Sequence, residues 1–180
     1  MSLIEFLRLV GKLKTVKRTG WGLSGVVGGE SVAEHMYRAA MCAFLIKDAS
    51  VNRDHCVKLA LVHDLCEALA GDITPHCGVS KEDKHRLEQE AMTTITAHLS
   101  PELSAELNGL WLEYEAGDTI EAKYVKDIDK FEMILQADEY EQTQSGLKLD
   151  SFFASTEGKF VTPLFQSLDR ELRDSRASRQ

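Results

Sequence analysis

The feature that most constrains this chain is a short apolar stretch, residues 61–72, that carries four ionisable side chains. The stretch reads LVHDLCEALAGD, and its ionisable residues are His63, Asp64, Glu67 and Asp72. Its apolar content predicts a helix that ends at Gly71, because glycine adopts the left-handed conformation of a helix C-terminus at little cost. On one helix, His63 and Glu67 project from the same face, and Asp64 lies about 100° round from His63. Such groups are costly to bury without partners, so the stretch predicts a bound metal ion.

The composition is typical of one intracellular globular domain. The chain has 180 residues, of which 43% are apolar, enough for a substantial core. No run of about 18 apolar residues predicts a membrane span, and Glu5 and Arg8 interrupt the apolar N-terminal residues, unlike in a signal peptide. We therefore expect a cytoplasmic protein without a membrane partner. The formal charge of −8 argues against a general binder of nucleic-acid polymers, which would need a basic face.

The spacing of apolar residues predicts an all-α fold, a single bundle of about six to seven helices. The predicted helices span residues 2–15, 31–46, 52–70, 80–98 and 119–145, with two more that start near Ser100 and Thr162. Ser31 and Glu34 form a capping box at the start of the second helix, and Asp118 is the predicted N-cap of the longest one. We assign residues 1–172 to the domain and residues 173–180 to a frayed polar tail.

Two residues outside the central stretch complete a candidate metal site. His35 lies in the first turn of the second predicted helix, and Asp129 lies beside the apolar stripe of the longest one. An acidic residue near a core face needs a partner, so we group these two with His63 and Asp64. Two histidines and two aspartates form a mixed nitrogen and oxygen ligand set. Such a set suits a divalent ion such as Mn²⁺, Co²⁺, Fe²⁺ or Zn²⁺ and leaves positions for water and substrate.

The same residues predict hydrolysis of a phosphate ester. A bound divalent ion lowers the pKa of water and polarises a phosphoryl oxygen. Glu67 and Asp72 are placed to orient or deprotonate the attacking water, to protonate the leaving oxygen, or to hold a second ion. Arg18, in a basic and glycine-rich segment, would neutralise phosphate charge. Trp21 in the same segment is either a stacking platform for the substrate or a core residue.

The order of these residues resembles that of the HD-domain phosphohydrolase superfamily, whose ligand set matches the series His35, His63, Asp64 and Asp129. Residues 17–21 (KRTGW), 30–35 (ESVAEH) and 63–75 (HDLCEALAGDITP) are similar to its 5′-deoxynucleotidase branch. Within that branch, the HD-domain-containing protein 2 group is similar at Lys84, Glu88, Ala91 and residues 132–141 (EMILQADEYE). The resemblance covers residues from about 3 to 170.

The resemblance implies a role for each candidate residue. A first metal ion would bind His35, His63, Asp64 and Asp129, and a second would bind Glu67, Asp72 and the backbone of Ile73. Glu67 and Asp72 match the catalytic carboxylates, and Arg18 matches the phosphate-binding arginine. In bacterial relatives a tryptophan directly follows that arginine and favours deoxyribose, whereas here two residues separate Arg18 from Trp21. The family further implies a homodimer that hydrolyses deoxyribonucleoside 5′-monophosphates, with the ion open among Mn²⁺, Co²⁺, Mg²⁺ and Zn²⁺.

Two other functions stay open at this point. One is hydrolysis of another small phosphoester, such as a cyclic nucleotide or a nucleoside triphosphate, although the single compact basic cluster suits a monophosphate better. The other is a non-catalytic HD-domain dimer that binds a ligand, which the loss of a metal ligand would favour. All four candidate ligands and both carboxylates are present, so we expect a metal-dependent 5′-deoxynucleotidase.

Overall fold

Helices account for most of residues 2–179, the part of the chain that the computed structural model describes. They are α1 (Leu3–Lys12), α2 (Thr19–Leu23), α3 (Val32–Ala43), α4 (Arg53–Val62), α5 (Glu67–Ala70), α6 (Lys81–Thr96), α7 (Pro101–Ala116), α8 (Ile120–Thr143), α9 (Asp150–Thr156) and α10 (Pro163–Ala177). A 3-10 turn, Pro75–Cys77, lies between α5 and α6, and within residues 2–179 one isolated bridge, Lys17 to Ser31, is the only strand-like pairing. The predicted all-α fold is confirmed. Of the helices described, seven contain ten or more residues, and the short helices α2, α5 and α9 add to the predicted number.

The N-terminal caps are side chains that bond to the first free backbone amides of a helix. In the capping box of α3, Ser31 Oγ accepts from the amide of Glu34 at 3.3 Å, and Glu34 Oε2 accepts from the amide of Ser31 at 2.6 Å. The predicted cap of α8, Asp118, is wrong by one residue. Thr119 is the N-cap, and its hydroxyl oxygen accepts from the amide of Ala122 at 3.1 Å. Threonine and aspartate both cap helices, so adjacent candidates are not distinguished by residue type alone.

The helix predicted over residues 52–70 is wrong as one continuous element. α4 ends one residue before His63 and α5 starts at Glu67, with a turn between them. Within that turn the amide of Leu65 bonds at 2.9 Å to the carbonyl three residues earlier, a tighter pattern than that of an α-helix. His63 is therefore the C-cap of α4 and Glu67 is the first residue of α5, and both side chains still line one cavity. Gly71 ends α5 with a φ of +74°, as predicted.

Helix α8 runs through the centre of the bundle. It contacts α3, α4, α7, α9 and α10, and its inward face includes the fully buried Ala122, Val125, Ile128 and Ile134. Burial of apolar surface is the dominant favourable term in folding, so these contacts fix both the position and the rotation of α8. Polar side chains that α8 directs at α3 and α4 are consequently held in place. Within residues 2–179, no helix is long and apolar enough to cross a membrane.

The C-terminal segment continues as a helix, so the predicted frayed tail is wrong for the part of it that the structure describes. α10 extends through Ala177. Arg176 Nε lies 2.7 Å from Glu141 Oε2, and Arg179 forms an ion pair with Asp138. These pairs attach α10 to α8. The acidic partners lie 35 and 41 residues away in the chain, so the charges of neighbouring residues do not predict these ion pairs.

Asp127 fixes the start of α10 on α8. Its side chain is fully buried, and its Oδ2 atom accepts from the amides of Val161 and Thr162 at 2.9 and 2.7 Å and from the Thr162 hydroxyl at 2.8 Å. Its other oxygen pairs with Lys130 at 2.9 Å. The bonds satisfy backbone amides at a helix start that would otherwise lack partners. Asp127 is therefore a structural residue, although it stands two positions before the candidate ligand Asp129.

Replacement of Asp127 with alanine should destabilise the protein by about 3 kcal/mol, because hydrogen bonds to a buried carboxylate are lost and their donors are left without partners. The exposed Asp118→Ala variant is the matched control and should change the free energy of unfolding by less than about 0.5 kcal/mol. Urea denaturation followed by circular dichroism measures both. Equal midpoints for the two variants would contradict the role of Asp127.

Candidate active site

The structure brings the four predicted metal ligands together from three parts of the bundle. His35 comes from α3, His63 and Asp64 from the turn after α4, and Asp129 from α8. His35 Nε2 lies 3.3 Å from His63 Nε2 and 3.2 Å from Asp129 Oδ1. Asp64 Oδ2 lies 3.2 Å from His63 Nε2 and 3.7 Å from His35 Nε2. Both histidines are buried, and both aspartates are partly exposed.

These ligand atoms are spaced as the ligands of one metal ion are. Nitrogen and oxygen ligands bind at about 2.0–2.2 Å from zinc, so neighbouring ligands of one ion lie roughly 3–3.5 Å apart. The four separations given above, 3.2 to 3.7 Å, are close to this spacing, and ligand atoms of His35, His63 and Asp64 all lie within 4.8 Å of one another. Two neutral imidazoles and two carboxylates also form a donor set that divalent transition ions favour. The residues present therefore fit a divalent ion.

Hydrogen bonds orient both histidines with Nε2 toward the cluster. His35 Nδ1 bonds to Glu132, and His63 Nδ1 donates to the carbonyl of Ala60 at 2.8 Å. A proton held at Nδ1 leaves the lone pair of Nε2 free for a metal ion. Glu132 is itself held by Arg38, whose Nε donates to Glu132 Oε1 at 2.8 Å. The two rings are thus arranged for metal binding by groups that do not touch the metal position.

The roles of Glu132 and Tyr114 were not predicted from the sequence. Glu132 is fully buried on α8, three residues after Asp129. Tyr114 on α7 is buried and donates its hydroxyl proton to Asp129 Oδ2 at 2.9 Å. An acidic residue among the apolar positions of a central helix was the available signal for Glu132. The contact of Tyr114 depends on how α7 packs on α8, and no local pattern indicates it.

The Glu132→Gln variant should bind Mn²⁺ about 10- to 100-fold more weakly, because the charged acceptor that orients His35 is lost. Glu139→Gln is the matched control. Glu139 lies on the same helix and also bonds to Arg38, at 2.8 Å, but it does not contact His35. Calorimetric titration of the chelated proteins with Mn²⁺ measures both affinities. Equal losses in the two variants would show that Glu132 acts only through Arg38.

His35 holds a proton when no metal is bound. Burial and the neighbouring Arg18 lower the pKa of His35, but hydrogen bonds to Asp129 and Glu132 outweigh them and raise it to about 9. The protonated His35 ring therefore contributes to the stability of the folded protein. This contribution is fully present at pH values below the ordinary histidine pKa of about 6.5, and it is lost as the pH rises through about 9. Since a metal ion binds only the neutral imidazole, binding must displace this proton.

Metal binding at pH 7 should accordingly release about one proton from His35. The measured heat of Zn²⁺ or Mn²⁺ binding should then depend on the ionisation enthalpy of the buffer. The apparent affinity should rise by at least about tenfold per pH unit between pH 7 and the pKa of His35 at about 9, because the pKa of the second ligand His63 is also raised, against the effect of burial, by the carboxylate of Asp64. Calorimetric titrations in two buffers at each pH provide the test. Heats that are independent of the buffer would contradict a protonated His35.

Glu67 is a buried acid with an unpartnered oxygen. Its side chain is 5% exposed, and within residues 2–179 its Oε2 atom has no hydrogen-bond partner. Burial, together with the nearby carboxylates of Asp64 and Asp72, raises the pKa of Glu67 to about 11. A buried carboxyl group without a protein partner beside a candidate metal site is positioned to meet water or a ligand.

Asp72 and Ile73 follow the end of α5 and line the same cavity as Glu67. Asp72 Oδ2 accepts from the amide of Thr19 at 2.6 Å, and the carbonyl of Asp72 accepts from the Thr19 hydroxyl at 2.8 Å. These bonds tie the loop after α5 to the start of α2. The carbonyl of Ile73 accepts from Lys84 Nζ at 3.0 Å. The ammonium group of Lys84 thus contacts the Ile73 carbonyl oxygen, which the resemblance identifies as a ligand of a second ion.

Arg18 reaches the ligand cluster from the N-terminal segment. Its Nη1 lies 3.5 Å from Asp64 Oδ2, and its Nε lies 3.9 Å from Glu30 Oε1. The side chain is 14% exposed, so the guanidinium is largely shielded from bulk water beside the ligands. A planar cation in this setting is suited to bind a phosphate through two parallel hydrogen bonds.

Trp21 is a buried residue that also lines the larger of two cavities beside the site, so its role toward the substrate stays a prediction. Its side chain is 1% exposed, and its Nε1 donates to Glu30 Oε1 at 3.1 Å. Its ring stacks on Phe152 at 4.5 Å and meets the edge of Tyr140 at 5.3 Å between centroids. A satisfied N–H and two aromatic contacts are what a buried tryptophan requires. The partners lie far along the chain, which is why the local sequence left the two roles undecided.

Two cavities lie beside the cluster and share part of their lining. The smaller, of about 280 Å³, has several ionisable residues in its lining, among them His63, Asp64, Glu67, Asp129 and Lys84. The larger, of about 660 Å³, is mostly apolar and is lined by residues that include Leu23, His76 and Phe152. Residues that line both are Arg18, Asp72, Thr74, Pro75 and Met133. The site therefore joins a small charged chamber to a larger apolar one.

Comparisons with known proteins agree with this geometry. The family model of the HD domain matches residues 10–168. The 5′-deoxynucleotidase HDDC2 of Homo sapiens is 51% identical over 178 residues, which cover 98% of this chain and 87% of that protein. The 5′-deoxynucleotidase hdd1 of Schizosaccharomyces pombe is 51% identical over 152 residues, covering 82% and 77%. Among solved structures, the PH0347 protein from Pyrococcus horikoshii has a TM-score of 0.78 at 31% identity and covers 95% of this chain and 96% of that one.

Proposed function

We propose that this protein, which belongs to the HD-domain family, is a metal-dependent 5′-deoxynucleotidase that converts deoxyribonucleoside 5′-monophosphates to deoxynucleosides and phosphate. The family match confirms the resemblance seen in the sequence. One observation carries the proposal for the site: three of the candidate metal ligands, His63, Asp64 and Asp129, line a small cavity together with Glu67, and this cavity adjoins a larger apolar one, with Arg18 in both walls. A nucleoside monophosphate has the same layout, a small charged group joined to a larger and less polar one.

The proposed first ion is held by His35 Nε2, His63 Nε2 and the carboxylates of Asp64 and Asp129. When bound there, a divalent ion supplies Lewis acidity that polarises a phosphoryl group and lowers the pKa of water. HD domains are metal-dependent, and the structure offers a suitable histidine and aspartate site. We propose Mn²⁺, Co²⁺, Mg²⁺ or Zn²⁺ as the ion.

Glu67 is the proposed general base. Its Oε2 atom is unpartnered, whereas Asp72 already accepts a hydrogen bond from Thr19. Positive charge added beside Glu67 lowers its raised pKa, which leaves a carboxylate able to take the proton of an attacking water. The water oxygen forms the new bond to phosphorus as the bond from phosphorus to the 5′-oxygen breaks.

Asp72 and Arg18 complete the proposed reaction. Asp72 lies at the junction of the two cavities, where it is placed to give a proton to the departing 5′-oxygen of the deoxynucleoside. Arg18 offsets the negative charge of the phosphate and holds it against the ligand cluster. The order of events is therefore proton transfer to Glu67, displacement at phosphorus and protonation of the leaving group.

Three further features are proposals that rest on the resemblance. As the alternative to these proton-transfer roles, we propose that Glu67, Asp72 and the carbonyl of Ile73 hold a second ion, for which Lys84 Nζ, 3.0 Å from that carbonyl, would have to move. We also propose that the protein acts as a homodimer in the cytoplasm. Its net charge of −8 supports a small-molecule substrate over a nucleic-acid polymer.

The chelated protein should release no phosphate from any nucleoside monophosphate, and added Mn²⁺, Co²⁺, Mg²⁺ or Zn²⁺ should restore turnover. Deoxyribonucleotides should be hydrolysed faster than the matching ribonucleotides. A colorimetric phosphate assay on deoxy and ribo substrates with four bases tests both points. Turnover of cyclic nucleotides or triphosphates in place of monophosphates would support another phosphoesterase activity. Absence of phosphate release with every ion would support a binding role.

Glu67→Gln should lower kcat by about 10²- to 10⁴-fold while the protein still binds its first ion, because the base is removed but the four ligands remain. Asp64→Ala should lose the ion as well as the activity. Glu90→Gln, an exposed change on α6, is the matched control. Metal content and steady-state kinetics distinguish these cases. A nearly normal kcat in Glu67→Gln would make Glu67 structural and Asp72 the better candidate for the base.

A further inference from the structure

We propose that Met133 discriminates 2′-deoxyribose from ribose in the substrate. The inference rests on the proposed function, because it presupposes a nucleoside monophosphate as the substrate. A residue other than Trp21 is needed for this selection, since Trp21 lines only the larger cavity and its indole N–H is bonded to Glu30. The candidate must lie where the sugar lies.

The position of the sugar follows from the two cavities. The phosphate binds in the smaller cavity, beside Arg18 and the ligand cluster, and the base occupies the larger apolar one. The pentose joins phosphate to base, so it must cross the junction. Residues that line both cavities, and so surround the pentose, are Arg18, Asp72, Thr74, Pro75 and Met133.

Met133 is placed at the junction by α8. It follows Asp129 by four residues, and side chains four residues apart lie on the same face of a helix, one turn or about 5.4 Å along its axis. Asp129 faces the ligand cluster at 3.2 Å from His35 Nε2. The same helix face therefore presents a metal ligand to the phosphate and, one turn later, Met133 to the group attached to it. Because α8 is the central helix of the bundle, this spacing is rigid.

The chemistry of the junction disfavours an extra hydroxyl group. The polar residues there have other roles: Asp72 accepts from Thr19 at 2.6 Å and faces the leaving oxygen, Arg18 lies 3.5 Å from Asp64 and faces the phosphate, and the Thr74 hydroxyl lies 3.5 Å from Cys77 Sγ.

Met133 offers only a thioether, which donates no hydrogen bond and accepts weakly. A 2′-hydroxyl placed against it would lose water without gaining a partner, whereas the CH₂ group of deoxyribose fits an apolar contact. Apolar sites reject an added hydroxyl by about 10²-fold, which sets the size of the expected preference.

Met133 is a better candidate than Pro75, the other apolar residue at the junction. Pro75 is exposed and belongs to the 3-10 turn Pro75–Cys77, a short loop element. Met133 is half-buried on a helix of 24 residues that is packed on several sides. A rigid wall discriminates between substrates more strongly than a loop that can move aside.

The test replaces Met133 with glutamine, which has a similar length and can bond to a 2′-hydroxyl. Values of kcat/KM are measured for dAMP against AMP and for dUMP against UMP. The ratio of deoxy to ribo should fall about tenfold in Met133→Gln, mainly because ribonucleotide turnover rises. Met133→Leu keeps an apolar contact of similar volume and should stay within about twofold of the wild type. Met41→Gln makes the same chemical change at an exposed position of α3 and should not alter the ratio.

A second measurement needs no variant. The wild type should hydrolyse the 2′-fluoro-2′-deoxy analogue of AMP at a rate close to that of dAMP, because fluorine does not need the hydrogen-bond partner that a hydroxyl needs. Rejection of the analogue as strong as that of AMP would overturn the inference, as would an unchanged ratio in folded Met133→Gln. A wild type that hydrolyses AMP and dAMP equally well would overturn this inference and leave the phosphatase intact. Absence of turnover for every monophosphate with every ion would overturn the proposed function and the inference together.

Discussion

The structure depends on two buried imidazoles that lie beside two partly exposed carboxylates, with distances of 3.2 to 3.7 Å linking His35, His63, Asp64 and Asp129 pair by pair. Desolvation alone disfavours such a cluster, so it persists only with charge compensation and oriented hydrogen bonds. Glu132 and the carbonyl of Ala60 orient His35 and His63, and Arg18 brings positive charge from outside. A divalent ion is the remaining compensation that fits both the spacing and the donor types. The helices around the cluster are packed so that their ends and faces meet at this point.

Helix α8 connects the chemistry to the fold. Along one helix, Asp127 anchors the start of α10, Asp129 faces the ligand cluster, Glu132 holds His35, and Met133 lines the junction of the two cavities. The spacing of these residues follows from the helical repeat, and apolar contacts on several sides prevent the helix from rotating. Structural support, the proposed metal site and the proposed substrate selection therefore depend on the same packing. A change that rotates α8 would affect all of them together.

Much of the fold and of the candidate site could be predicted from the sequence. The features that could not be predicted depend on contacts between residues distant in the chain or on a helix break that residue type does not indicate. His63 and Asp64 stand out because charged groups in an apolar stretch need a partner, and Asp129 follows by the same argument. The break between α4 and α5 could not be predicted from residue type, because the residues of both segments favour a helix. Trp21 was undecided because its environment is made by Phe152 and other distant residues. The local sequence indicates that a side chain needs an interaction partner, whereas the fold determines which residue is that partner.

The central claim is that one divalent ion binds among His35, His63, Asp64 and Asp129. The most direct test is an anomalous difference map from crystals of the wild-type protein grown with Mn²⁺. The account predicts a strong peak about 2.0–2.3 Å from the Nε2 atoms of both histidines, with a carboxylate oxygen of each aspartate at a similar distance. A strongest protein-bound peak elsewhere in the molecule, or no peak at millimolar Mn²⁺, would contradict it.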